Sequence, residues 1–402
     1  MQLPTQPEIL DSIDTTANTT TPWSNDMPKK MLHPHRKFDD EILNSSIADR
    51  VEFFTGQLVR HKVLDQAYQE LMLKACNVGG VEFIQLAGPT GAGKSTVIER
   101  FTRDKLAEFE QLISQNPHDI PVIKTVCPAA VKRKVPWQSL LKNILKSGGH
   151  ALADSGQFIL EYPEGTSQKN ISKVLMRDND EQELFDLVSN YINARNVCYL
   201  IIDEAQHIID ACKSGTEAFS AMEVLKSLAA NSGCIIVLCG TYRLLRFGDS
   251  SAQLGRRSEI VELGPYQRGS DEELIQFGDA LDALLARYPI HFSSTIFEKV
   301  SEIHLACCGC IGILKDLLTK ALHRTLVAGK SHVSYSSLME NSMHPRELRR
   351  VAKEIEMGKD YFSRVAMIEV EEILLGAKTS VKKKAAKGPV QRKPERDPVE
   401  PM

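Results

Sequence analysis

The run Gly88-Pro89-Thr90-Gly91-Ala92-Gly93-Lys94-Ser95, followed by Thr96, has the residue types and spacing to hold phosphate groups. It satisfies G-x-x-x-x-G-K-[ST] at every position, follows an apolar stretch and opens a helical one. Glycines let backbone N–H groups curl around phosphate oxygens without a side-chain clash, and the dipole of the following helix favours an anion. Lys94 suits the β- and γ-phosphates of ATP. Ser95 offers a hydroxyl to Mg2+, an ion that takes few protein ligands and keeps much of its water. A second run, Val197-Cys198-Tyr199-Leu200-Ile201-Ile202-Asp203-Glu204, is apolar and ends in two acids. Beside a phosphate loop, Asp203 would organise the magnesium through its water shell and Glu204 would polarise an attacking water. The second acid points to ATP hydrolysis, because phosphate transfer to a small acceptor has to exclude water.

Chemistry of this kind needs a rigid carrier, and the patterning supplies one. Short apolar runs at Val81–Ala87, Pro121–Val126, Val197–Ile202, Cys234–Cys239 and Glu259–Leu263 alternate with helical stretches such as Trp137–Leu145. That alternation predicts an α/β domain with a parallel five-stranded sheet covered on both faces. Ahead of it, Val51, Phe54, Leu58 and Val59, then Leu64, Tyr68, Leu71 and Met72, recur at helical spacing. From about residue 270 the pattern turns all-helical, with one stripe at Leu274, Phe277, Leu281, Leu284 and Leu285 and another at Ile313, Leu314, Leu317, Leu318 and Leu322. The expected organisation is a disordered or partner-binding segment 1–32, an ATPase domain with N-terminal helices 33–265, a helical lid 266–355, and a C-terminal helix with a basic disordered tail 356–402.

With 402 residues, 42% hydrophobic and 25% charged, the chain suits a soluble protein of two or three domains. The polar N-terminus has no signal-peptide core and no apolar run is long enough to span a bilayer, so a cytoplasmic protein without a membrane role is expected. Nine irregularly spaced cysteines fit a reducing compartment. Cys307-Cys308-Gly309-Cys310 has no second pair at zinc-site spacing and reads as helix packing.

A P-loop strand, an acidic strand end and a helical lid together point to an AAA+ P-loop ATPase. In that fold a polar residue at the tip of the fourth strand lies beside the γ-phosphate. Thr241, after Cys239-Gly240, is the candidate for this sensor, the other reading being a strand-end turn. Arg256-Arg257 precedes the fifth strand, where a subunit-bridging arginine finger would complete a neighbour's site. Arg257 is the preferred finger; a solvated surface pair is the other reading.

The order of strings resembles the TnsC/TniB family of AAA+ transposition regulators: a His-Pro lead-in, Leu-Ala-Gly-Pro-Thr-Gly-Ala-Gly-Lys-Ser-Thr, Leu-Ile-Ile-Asp-Glu-Ala-Gln-His-Ile, Val-Leu-Cys-Gly-Thr and Arg-Arg-Ser-Glu-Ile-Val-Glu-Leu. The likeness spans about residues 33–325, and its Asp-Glu-Ala-Gln-His string also occurs in AAA+ ATPases of secretion systems. It implies ATP-driven homo-oligomers, rings or helical filaments, on duplex DNA. These receive a target-selection protein, recruit a transposase and disassemble on hydrolysis. It also implies nucleotide and magnesium roles for Lys94 and Ser95, magnesium and hydrolysis for Asp203 and Glu204, sensing for Thr241 and a finger at Arg257. One departure stands out. AAA+ lids often carry Gly-x-x-Arg, but Gly309-Cys310-Ile311-Gly312 has Gly at the last position. Lys315, one helical turn on, is a candidate substitute.

A net charge of -3 attracts no DNA globally, so any duplex contact must be local. Lys132-Arg133-Lys134 is one basic cluster, and Lys169, Lys173 and Arg177 recur every four residues as a second. Both also suit a merely solvated surface. Lys378 to Arg396 holds eight basic residues against one acid and reads as a tail for DNA or an acidic partner. Two other functions remain open: an assembly ATPase of a secretion or pilus system, and a nucleotide-switched DNA scaffold with little hydrolysis.

Overall fold

The computed structural model describes residues 32–76, 80–130, 134–150, 181–250 and 257–363, together with 371, 374 and 375. The expectations for segment 1–31 and for the basic tail lie outside those residues. The chain forms two units, Met1–Gly358 and Lys359–Met402.

The first unit opens with helices α1 (Asp40–Asn44), α2 (Ile47–Gly56) and α3 (Lys62–Lys74). Strand and helix then alternate through β1 (Phe83–Ala87), α4 (Lys94–Glu108), α5 (Glu110–Gln115), β2 (Val122–Val126), α6 (Trp137–Ser147) and α7 (Glu181–Ala194). There follow β3 (Tyr199–Asp203), α8 (Gln206–Ala211), α9 (Gly215–Ser232), β4 (Ile235–Gly240), a 3-10 helix over Tyr242–Ser250 and β5 (Ser258–Glu262). The lid contains α10 (Asp271–Leu285), α11 (Thr295–Glu298), α12 (Val300–Cys307), α13 (Ile311–Val327) and α14 (Tyr335–Met339), and α15 (Pro345–Phe362) follows it.

All five strands form one parallel sheet in the order β2-β3-β4-β1-β5. Ala87 pairs with Gly240 on one side and Glu262 on the other, and Val126 pairs with Asp203, so the strands end together at one edge. Strand bounds differ from the sequence reading by one or two residues, as element ends commonly do. The shift matters at β3, where it carries Asp203 into the sheet.

Side-chain alternation divides the core between the two faces. Leu200, Ile202, Ile236 and Leu238 pack under α6, α7 and α9, while Ile201, Val237, Cys239 and Val261 pack against α3 and α4. Leu140, Leu141, Ile144 and Leu145 of α6 are all buried, each contributing about 2 kcal/mol to docking. Local chemistry sets the helix ends. Ser46 and Asp49 form a reciprocal capping box on α2, and Ser214 caps α9, which stops at Gly233 with φ +66°.

Two expectations need correcting. The N-terminal helices do not all belong with the sheet: α3 packs on it, but α2 packs on the lid. Phe54 is fully buried there, its ring 5.0 Å from Tyr288 and nearly perpendicular to it. Leu58 is 61% exposed because α2 ends at Gly56, before the apolar period reaches it. The lid is also not purely helical. A short parallel pair, β6 (His291–Phe292) with β7 (His332–Val333), sends Phe292 and Val333 into its core.

His61 joins α3 to the lid. Its Nδ1 accepts from the Leu64 N–H at 3.4 Å and from the Tyr266 hydroxyl at 3.1 Å, so that nitrogen must be unprotonated. Burial pushes its pKa down from 6.5 to about 4, with Asp65 opposing. The unfolded chain therefore takes up a proton below 6.5 that the folded chain refuses until about 4, and stability falls across that window on acidification. From about pH 7.5 to about pH 5 this group should cost about 2 kcal/mol. His61→Asn, which keeps a helix-capping acceptor, should lose correspondingly less in urea melts at the two pH values. An equal loss in both proteins would remove His61 as the source.

Candidate functional site

The phosphate loop lies where β1, β3 and β4 end. Gly88 leaves β1 so close to the next strand's exit that a Cβ there would sit 2.2 Å from the Leu263 carbonyl oxygen. Gly91 and Gly93 have φ of +77° and +104°, the left-handed region that side chains disfavour. Ala92 N–H donates to Pro89 O at 3.2 Å and Thr96 N–H to Gly93 O at 3.0 Å, which closes the turn into α4. Lys94 Nζ donates to the carbonyls of Gly88 and Pro89, both at 2.9 Å, so its ammonium lies along the loop. The Thr90 N–H donates to Glu354 Oε2 of α15 at 3.1 Å.

Ser95 Oγ donates to Asp203 Oδ2 at 3.4 Å, across the gap between α4 and β3. Asp203 is buried, and its Oδ1 accepts from the Glu204 N–H at 2.9 Å. Beneath it, burial and the Asp203 carboxylate hold the Cys239 thiol well above its ordinary range. A hydroxyl and a buried carboxylate at this spacing are oxygen ligands that fit Mg2+ brought in with a nucleotide. Among the described residues no group of three or more His, Cys, Asp or Glu is poised to hold a metal by itself.

Glu204 turns the chain out of β3 with φ +54°, an uncommon value for a non-glycine residue, and its carboxylate is exposed. Gln206 holds it there. The Gln206 side-chain amide donates to Glu204 Oε2, while its Oε1 accepts from the Thr241 N–H at 3.2 Å. Gly240 makes room for this link, since a Cβ there would lie 2.3 Å from Gln206 Oε1. The Thr241 hydroxyl is buried and makes no hydrogen bond among the described residues. A buried hydroxyl without a partner costs free energy unless a ligand completes it. Gln206 was missed as a site residue. Its signal was its place in the Asp-Glu-Ala-Gln-His string, and only the folded turn gives that position a role.

Other candidates fall elsewhere. Arg257 begins β5 and pairs with Glu82 at the edge where β1 begins. A strand's length, about 17 Å, separates it from its own phosphate loop. Lys315 does not replace a sensor arginine: its Nζ donates to the carbonyls of Thr55 and Gln57, at 2.5 Å and 2.7 Å, at the end of α2. The missing arginine has a steric reason. The Gly312 N–H donates to Gly91 O at 2.8 Å, and a Cβ on Gly312 would lie 2.5 Å from that oxygen. Cys307 and Cys310 are buried in the lid, where burial raises both thiols, Cys310 to about 12. Lys134 is exposed ahead of α6, while Arg256, Lys132, Arg133, Lys169, Lys173 and Arg177 lie outside the described residues.

Sheet order, phosphate loop, acidic strand end and helical lid define an AAA+ P-loop fold. The family model of an AAA domain matches residues 79–247, from just ahead of β1 into the 3-10 helix. Among solved structures, the chain is similar to the Walker-type ATPase paby2304 of Pyrococcus abyssi, with 16% identity, TM-score 0.42 and coverage of 81% of this chain and 80% of that one. It is also similar to the ORC2 protein of Aeropyrum pernix, with 14% identity, TM-score 0.42 and coverage of 71% and 68%. No curated protein matches the chain. Among the described residues, no helix is long and apolar enough to cross a membrane.

Replacing Gln206 tests its positioning role. Gln206→Leu should keep ATP affinity within about twofold while kcat falls at least about tenfold. Gln206→Glu should raise the acid limb of the pH–rate profile, because a second carboxylate beside Glu204 disfavours its charge. An unchanged kcat and pH profile would show that Glu204 needs no such support.

Proposed function

We infer that the chain is an ATP-hydrolysing AAA+ regulator of DNA transposition. It assembles as a homo-oligomer on duplex DNA, links a target-selection protein to a transposase and comes apart after hydrolysis. The observation that carries the ATPase reading is the convergence of Ser95, Asp203, Glu204 and Thr241 beside the phosphate loop. The DNA and transposition readings are supported by the residue strings shared with the TnsC/TniB family.

The proposed chemistry follows from the side chains. Lys94 leaves the loop carbonyls for the β- and γ-phosphates when a nucleotide enters. Ser95 and Asp203 would hold Mg2+, which would supply positive charge against the phosphate oxygens. Glu204 accepts a proton from the water whose oxygen bonds to the γ-phosphorus as the bond to the bridging oxygen breaks, giving ADP and phosphate. Thr241 donates its hydroxyl to the γ-phosphate or to that water. Arg257 acts on the site of the adjacent subunit. The Lys132–Lys134 cluster and the Lys169, Lys173 and Arg177 series are proposed contacts to DNA phosphates.

Glu204→Gln should bind ATP normally and lose turnover by at least about a hundredfold. Its assemblies on duplex DNA should outlast wild-type ones in ATP, as followed by light scattering. Normal turnover in this variant would exclude Glu204 as the hydrolytic base. Arg257→Ala should also lose turnover while retaining ATP binding. Mixed with Glu204→Gln, it should regain some, since one kind of interface then joins an intact Glu204 to an intact Arg257. If the mixture stays as inactive as its components, the composite site is wrong.

A further inference from the structure

Helix α15 has a face that the sequence reading passed over. Arg346, Arg349, Arg350 and Lys353 follow the i, i+3, i+4, i+7 spacing, and all four are exposed. Val351 and Gly358 mark the opposite, buried face. Among the described residues, none of the four cations has a carboxylate within ion-pair distance, the exposed Glu347 of the same helix included. Some cations elsewhere are paired, such as Arg100 with Asp65 at 2.6 Å, Arg243 with Asp210 at 2.9 Å and Lys299 with Glu302 at 2.7 Å. In a chain of net charge -3, four cations on one helix face concentrate positive charge locally.

The buried side of α15 is fixed to the nucleotide machinery at two points. Glu354, adjacent to Lys353, accepts the Thr90 N–H of the phosphate loop at 3.1 Å. Gly358 lies flush on Tyr242, where a Cβ would come within 2.4 Å of the ring. Tyr242 directly follows Thr241, and its hydroxyl donates to Glu262 at 2.6 Å. The helix therefore has its cations directed outward while its other side touches both the loop and the strand tip that read phosphate.

We propose that this face of α15 grips the phosphate backbone of duplex DNA, and that Glu354 ties the grip to the nucleotide at the phosphate loop. The proposal rests on the DNA reading above and gives it a surface. From Arg346 to Lys353 the helix rises about 10 Å, which spans about three phosphates of one strand. Three of the four cations are arginines, whose planar forks suit phosphate oxygens. The contacts carry no base information, so binding is indifferent to sequence. A nucleotide that changes how Thr90 is held changes Glu354, and by linkage DNA on α15 changes nucleotide affinity by the same factor.

The test uses the full chain and a fluorescent duplex, with polarisation read in ATP, ADP and no nucleotide over a salt series. Arg346→Gln, Arg349→Gln, Arg350→Gln and Lys353→Gln together keep helix-forming residues and leave the buried face alone. This variant should bind ATP normally and bind duplex at least about tenfold more weakly. Its log–log salt slope should be shallower by about 0.9 for each lost contact. Glu354→Leu should still bind duplex but lose the difference between ATP and ADP. Wild-type affinity and slope in the quadruple variant, with DNA binding present in the wild type, would overturn the surface alone. Absence of duplex binding by the wild type would overturn the DNA reading and this proposal together. An acidic polypeptide that binds the wild type where duplex does not would assign the face to a protein partner. A Glu354→Leu protein that keeps the full ATP–ADP difference would overturn the coupling.

Discussion

Gly91 and Gly312 meet backbone to backbone, with the Gly312 N–H on the Gly91 carbonyl at 2.8 Å. No side chain fits between them, since a Cβ on either would overlap the other segment. The phosphate loop is thereby fixed to the first turn of α13, and the lid core of Ile313, Leu314, Leu317 and Leu318 stands directly on it. This contact makes loop and lid one mechanical piece. It also accounts for the glycine where related lids carry arginine, because closeness of backbone excludes any side chain there. Polar groups that face the loop have to be supplied by other atoms.

Those atoms lie on the sheet side. Parallel strands buried on both faces bring their C-terminal ends to a common edge, where polar side chains can face a ligand. Asp203 and Thr241 occupy two of those tips, and Gln206 bridges the second to Glu204. A carboxylate on an exposed turn with φ +54° would otherwise sample many positions. The amide fixes it relative to Thr241, whose hydroxyl has no partner among the described residues.

The same sheet sets Arg257 apart from the phosphate loop. Arg257 stands where β5 begins and the phosphate loop where β1 ends, and a rigid strand keeps them a full length apart. The α15 helix, by contrast, reaches the loop within its own chain through Glu354, and Tyr242 through Gly358. Arg257 therefore lies away from the phosphate loop, while α15 is docked against it.

Apolar runs were enough to specify the parallel α/β sheet, because strands buried on both faces must read that way, and the glycine spacing at Gly88–Thr96 was enough to specify a loop whose amides suit phosphate. The pairing of Asp203 with Ser95 was also legible, as an acidic strand end has few other uses beside such a loop. The assignment of α2 to the lid was not, since an amphipathic stripe fixes that a face is buried and never against what. Lys315 looked like a sensor by its spacing, but its ammonium is held by the free carbonyls at the end of α2, which come within reach only in the folded chain. Glu354 carried no motif, and the Asp-Glu-Ala-Gln-His string gave Gln206 no role of its own. Each acquires its role from a partner far away in sequence, 35 residues for Thr241 and 264 for Thr90, and such long-range proximity is decided by tertiary packing alone.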